Sequence, residues 1–144
     1  MEHLYEVDVN WVKDRAGILF SPDLHDELTV VTPPQFPGGI AGHWSPEHLF
    51  TAAINSCLMT TFLSIAERSG LVFYSFSSRA FGKLDDTGGK LLMTQVTLKP
   101  VVVLENEADV EKARRVLQKS EAACLISNSV RSEIVFEPEV RVKT

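Results

Sequence analysis

The chain has 144 residues, 44% of them hydrophobic and 23% charged, and a formal net charge of −5. This composition describes an ordinary globular protein, long enough to bury a core without disulfide or metal staples. The acidic balance, with no basic cluster beyond the pair Arg114-Arg115, speaks against a general nucleic-acid binder. The N-terminal stretch Met1–Glu6 is acidic and carries no apolar run, so no secretory signal is expected. The apolar run Val101–Leu104 is far too short to span a bilayer. These features predict one cytoplasmic domain over residues 1–144, with no membrane and no nucleic-acid partner. In that compartment thiols stay reduced, so two cysteines do not predict a structural disulfide, although a transient catalytic one is compatible with it.

Along the chain, Tyr5–Val12 alternates in part and reads as a strand. Lys13-Asp14-Arg15-Ala16-Gly17 reads as a turn, Ile18–Phe20 as the return strand, and Leu28–Val31 as a third strand. The stretch Thr32–His43 holds three prolines and three glycines, which exclude regular structure. Phe36 and Ile40 mark it as an ordered loop. Ser45 is then a good N-cap, Pro46 suits the first helical position, and Glu47 favours the positive end of the helix dipole. Trp44 and Leu49 sit where a hydrophobic staple would form. The helix is predicted to run to Ser69, with Gly70 just past its end. Its length is roughly 36 Å at about 1.5 Å per residue. From Leu49 to Ala66 it carries no charge, which predicts burial nearly all round. A chain this small hardly covers such a helix alone, so we expect a homodimer that packs across it.

Val72–Leu84 and Lys90–Leu104 read as strands joined by a turn at Asp85–Gly89. Asn106 caps a second helix with an apolar stripe of Ala108, Val110, Ala113, Val116 and Leu117, ending near Ala123. A last strand is predicted over Ile134–Val142. The order β-β-β-α-β-β-α-β is an α+β pattern.

The two cysteines, Cys57 and Cys124, are the only thiols. Brought together, they would form a peroxidatic and resolving pair; kept apart, they are two small core hydrophobes. A thiol attacks as thiolate, and a mid-helix Cys57 gets no help from the dipole of its own helix. Unaided, its pKa would be raised. A cation from elsewhere is therefore needed, and Arg15 at the first turn is the candidate, since its paired donors suit a peroxide or a carboxylate. Cys124, near a helix C-terminus, suits the resolving role better than the attacking one. Phe36 and Phe50 are candidates to line an apolar substrate pocket. His43, Glu47 and His48 match no usual metal-ligand spacing, and neither a metal nor a cofactor is expected.

Pro46-Glu47-His48-Leu49-Phe50, the small residues before Ser56-Cys57, and Ala123-Cys124-Leu125-Ile126-Ser127-Asn128 together resemble the OsmC/Ohr superfamily. The resemblance covers nearly the whole chain. It implies an α+β fold of antiparallel sheets with two central helices, in an intertwined homodimer. It also implies thiol-dependent reduction of organic hydroperoxides, with a lipoylated protein or small dithiol as reductant. It maps the peroxidatic cysteine onto Cys57, the resolving cysteine onto Cys124, the motif glutamate onto Glu47 and the catalytic arginine onto Arg15. Two departures, Lys13-Asp14-Arg15-Ala16-Gly17 for the Gly-Gly-Arg-Asp-Gly turn of the Ohr branch and Leu125 where many members have proline, point to a general OsmC-like member. Ten residues of helix rise roughly 15 Å, so a straight helix keeps Glu47 away from Cys57. A shared site then needs a bend or a Glu47 from the partner subunit. A different class of function, a non-catalytic OsmC-like module binding a small apolar ligand at the dimer cleft, uses the same loop and phenylalanines. A thiol–disulfide oxidoreductase would normally carry Cys-x-x-Cys, which is missing.

Overall fold

The computed structural model describes all of residues 1–144. The chain divides into two compact units, Met1–Leu49 and Phe50–Thr144.

In the first unit, strands β1 (Asp8–Lys13), β2 (Ala16–Phe20) and β3 (Leu28–Val31) form an antiparallel sheet in chain order. The β1–β2 turn is two residues long, with Lys13 paired to Ala16 and Asp14 at φ 49°. A left-handed residue at a hairpin turn matches the strand twist, and Asp tolerates it better than most. The loop after β3 is ordered, as expected. Phe36 N–H bonds to the Pro33 carbonyl at 3.0 Å, Gly39 N–H to Phe36 at 2.9 Å and Ile40 N–H to Thr32 at 2.9 Å. A side chain at Gly39 would lie 2.0 Å from the Pro33 carbonyl oxygen, so only glycine fits this close approach. Trp11, Val9 and Val12 on β1 are exposed, Trp11 by 77%.

Helix α1 spans Pro46–Ser69, as the sequence predicts. The Ser45 hydroxyl accepts from His48 N–H at 3.1 Å, and the Ser45 carbonyl from Leu49 N–H at 2.9 Å. The Trp44 ring stands edge-on to His48, 6.4 Å between centroids. At the far end Leu71 N–H reaches the Ala66 carbonyl (2.9 Å) and Gly70 N–H the Glu67 carbonyl (3.2 Å), with Gly70 at φ 67°. This double bond pattern is the Schellman stop, which needs the left-handed glycine.

In the second unit, β4 (Ser75–Thr87) and β5 (Lys90–Leu104) make a long hairpin. Its turn is Gly88-Gly89, at φ 61° and 85°, a pair only glycine-like residues adopt readily. After β5, Asn106 caps a short 3₁₀ turn by accepting from Ala108 N–H at 3.0 Å, and helix α2 (Val110–Ala123) follows. The predicted last strand is in fact two, β6 (Glu133–Phe136) and β7 (Glu139–Val142), both paired to β5. Pro138 offers no N–H and interrupts the ladder between them. These pairings are parallel, so this sheet is mixed and not purely antiparallel as expected. The helical crossover through α2 is what allows a parallel return.

Two core clusters hold this unit. Ile54 and Leu58 pack with Val96 and Leu98. Phe62, Ile65 and Ala66 pack with Leu71, Val102, Leu104 and the α2 residues Ala113, Val116 and Leu117. The buried side of α1 is therefore a single stripe. Met59 and Leu63 on the other side stay 39% and 42% exposed. The expectation of burial nearly all round fails for one chain because lack of charge does not by itself supply neighbours. By length and composition α1 is also apolar enough to cross a membrane. Here it packs as a core helix, and its Asn55 amide donates to the Ser78 carbonyl of β4 at 2.9 Å. Gly82 of β4 lies so close to α1 that a Cβ would meet the Thr51 hydroxyl at 2.1 Å.

Candidate active site

Cys57 lies mid-way along α1, partly buried. Cys124 is fully buried and ends α2, with its N–H still bonded to the Glu121 carbonyl at 3.3 Å. The chain then turns at once. Asn128 N–H bonds to the Cys124 carbonyl at 3.0 Å and Ser129 N–H to the Ile126 carbonyl at 3.0 Å. Ser129 Oγ donates to the Leu125 carbonyl at 2.9 Å, and Asn128 Nδ2 to the Ala122 carbonyl at 3.1 Å. Ile126 and Val130 on this turn pack against the cluster of Ile54 and Leu58 with Val96 and Leu98. Apolar burial thus sets the turn beside α1 and makes the two thiols neighbours, close enough for each to shift the other's titration; both are free.

The environments of the two sulfurs oppose each other. Burial works against a Cys57 thiolate. The backbone N–H of Ile126, the Cys124 thiol, the Thr61 hydroxyl (3.9 Å) and the backbone N–H of Leu125 outweigh it and hold the thiol below the usual cysteine range. For Cys124 burial wins: it pushes that thiol up, against hydrogen bonds from the Ser127 side chain and backbone, and a neighbouring Cys57 thiolate pushes it further. Sequence reasoning asked for a cation to activate Cys57. It missed that two main-chain N–H groups and a hydroxyl one helical turn away already do part of this. Thr61, four residues after Cys57, was the one legible signal among them.

Of the other predicted residues, Arg15, Phe36 and Glu47 lie in the first unit and Phe50 in the second. Arg15 stands at the tip of the β1–β2 hairpin, as expected. It lies along the loop at Gly38, where a Cβ would be 3.1 Å from its Nε. Arg15 and Glu47 line one open cavity of about 690 Å³, together with Trp11, Pro33 and Phe36. Phe50 instead lines a cavity of about 600 Å³ with Leu91, Met93, Val130 and Arg131. His43 and His48 border a small cavity of about 340 Å³ beside Trp44, with His48 Nδ1 2.7 Å from the Ser45 hydroxyl.

Comparison with known proteins agrees with this architecture. A family model described as OsmC-like protein matches residues 38–139, a span that includes Glu47, Cys57 and Cys124 and begins after Arg15. The uncharacterized protein YmaD of Bacillus subtilis is 26% identical over 147 residues, covering 99% of this chain and 96% of that one. An OsmC-like protein of unknown function from Vibrio cholerae superposes with a TM-score of 0.85 at 25% identity, covering 95% and 99% of the two chains. The organic hydroperoxide resistance protein OhrB of Bacillus subtilis superposes with a TM-score of 0.70 at 20% identity, covering 96% and 100%. With two helices, two sheets and the matched motif span in place, the chain belongs to the OsmC/Ohr superfamily.

Proposed function

We propose that this protein is a thiol-dependent peroxidase that reduces organic hydroperoxides with Cys57 and Cys124. The observation that supports this reading is the placement of the two free thiols as neighbours, in surroundings that favour the Cys57 thiolate and disfavour that of Cys124. An attacking sulfur must be ionised, and a resolving one must wait protonated beside it. The Cys57 thiolate attacks the outer peroxide oxygen, the O–O bond breaks, and the alkoxide takes up a proton and leaves as alcohol. Cys124 then attacks the Cys57 sulfenic acid, water leaves, and a disulfide closes. A dithiol, free or carried by a lipoylated protein, returns the two electrons. Arg15, with Glu47 on the same cavity wall, takes the role of activating cation by the family resemblance, and Phe36 and Phe50 that of apolar substrate contacts. The small, uncharged exposed side of α1 supports a homodimer.

The test is to add cumene hydroperoxide or hydrogen peroxide to the reduced protein and count the remaining thiols. We expect fast loss of both thiols with the organic peroxide, abolished in Cys57→Ser. Slow and equal oxidation by both peroxides, unchanged in either cysteine variant, would instead favour a binding module for a small apolar ligand. Replacing Arg15 by Ala should slow the first step roughly 10- to 100-fold. An unchanged rate would remove Arg15 from the mechanism.

A further inference from the structure

The turn after Cys124 holds a buried side chain that the two-thiol scheme does not yet use. Ser127 is 7% exposed, and its hydroxyl donates to Cys124 Sγ at 3.2 Å. Cys124 is entirely buried, next to Ile126 and behind the end of α2. In such a place a thiol alone resists losing its proton. Ser127 opens the short 3₁₀ turn Ser127–Ser129, whose flanking residues Ile126 and Val130 pack against the cluster that holds Ile54 and Leu58.

We infer that Ser127 is a positioning residue for the resolving step: its hydroxyl holds Cys124 Sγ toward Cys57 and stabilises the thiolate that attacks the sulfenic acid. This rests on the peroxidase reading above and goes beyond it by assigning Ser127 a role. In the step, the Cys124 sulfur forms the S–S bond as the S–O bond of the Cys57 sulfenic acid breaks. Hydroxide departs with the electron pair of that bond and combines with the Cys124 proton as water. Cys57 and Cys124 are each left at the disulfide oxidation level. The negative charge passes through Cys124 Sγ before the bond closes, and Ser127 O–H is the donor aimed at that atom. Hydrogen bonds to charged groups are worth more than neutral ones, so the hydroxyl matters most at the moment the thiolate forms. The backbone N–H of Ser127 acts on the same sulfur.

Two measurements test this. The first needs no peroxide: the Cys124 thiolate is titrated by its ultraviolet absorbance in Cys57→Ser and in Cys57→Ser with Ser127→Ala. A higher titration midpoint in the double variant, brought back by Ser127→Thr, is expected. Equal midpoints overturn the inference. The second follows wild type and Ser127→Ala after a pulse of cumene hydroperoxide, with dimedone trapping the sulfenic acid on Cys57. Sulfenic acid should form in both, and disulfide closure should slow roughly 10- to 100-fold in Ser127→Ala, with its pH dependence moved upward. Closure at the wild-type rate and pH dependence overturns the assignment. If wild type forms no sulfenic acid, the peroxidase reading falls and the titration still decides whether Ser127 tunes Cys124. Ser127→Gly removes the same hydroxyl if the alanine variant fails to fold.

Discussion

Cys57 and Cys124 are neighbours, yet their surroundings pull in opposite directions. Cys57 sits on the rigid middle of a long helix whose own backbone has no spare donors, so its help comes from the facing turn. Cys124 sits at a helix end, fully buried, where its chief support is a serine three residues on. The turn that carries the second thiol thus also conditions the first. One segment, Cys124–Ser129, sets both reactivities, and a change there is felt at both sulfurs.

The largest effect that bears on this contrast is removal of either sulfur. Cys57→Ser should abolish peroxide-dependent thiol loss, and Cys124→Ser should leave a trappable sulfenic acid on Cys57. Disappearance of the Cys124 thiol in Cys57→Ser at the wild-type rate would reverse the two roles. Next comes the scaffold. Phe62 is fully buried and stacks on Phe76 with centroids 4.8 Å apart. Phe62→Ala should lower unfolding stability by about 3–5 kcal/mol in a urea titration. A loss under about 1 kcal/mol would mean that the core closes over the gap.

The pH dependence is subtler. Thiolate is the form that alkylates, so a lowered pKa moves the rise in rate to lower pH. Iodoacetamide labelling resolved by peptide mapping should show Cys57 rising below the ordinary range of about pH 8.5 and Cys124 above it. Coincident profiles would erase the distinction between them. The smallest effect is expected for Thr61→Val. Its contact with Cys57 is long, 3.9 Å, and losing it should raise the Cys57 midpoint by about half a unit or less. A larger rise would make Thr61, and not the Ile126 and Leu125 amides, the chief donor.

Much of this was legible in the sequence where local chemistry decides the outcome. Ser45-Pro46 and Gly70 bound α1 to the residue, because caps and a left-handed stop are properties of single side chains. Gly88-Gly89 likewise fixed the hairpin and the start of β5. The misreadings have long-range causes. Pro138 splits the last strand only because its neighbour β5 runs past it on both sides. The parallel pairing of β6 and β7 depends on where α2 leads the chain, which no local pattern encodes. The uncharged stretch of α1 identified an apolar helix but not which side meets a neighbour. Of the candidate site, the cysteines and the position of Arg15 on a turn were readable. The amides of Ile126 and Leu125 were not, since a main-chain N–H leaves no mark in residue identity.

The bond from Asn55 to Ser78 has a mechanical consequence. Ser78 lies on β4, the edge strand of its sheet, and the side chain of α1 supplies a donor to its carbonyl. It does so two residues before Cys57. The amide works as a locating pin that sets the axial and rotational setting of the helix against the sheet. The turn bearing Cys124 leads directly into β6, which is zipped to the same sheet through Gln95–Leu98. Both sulfurs are thereby indexed to one frame, and the gauge between them is cut by β5, a strand that carries neither.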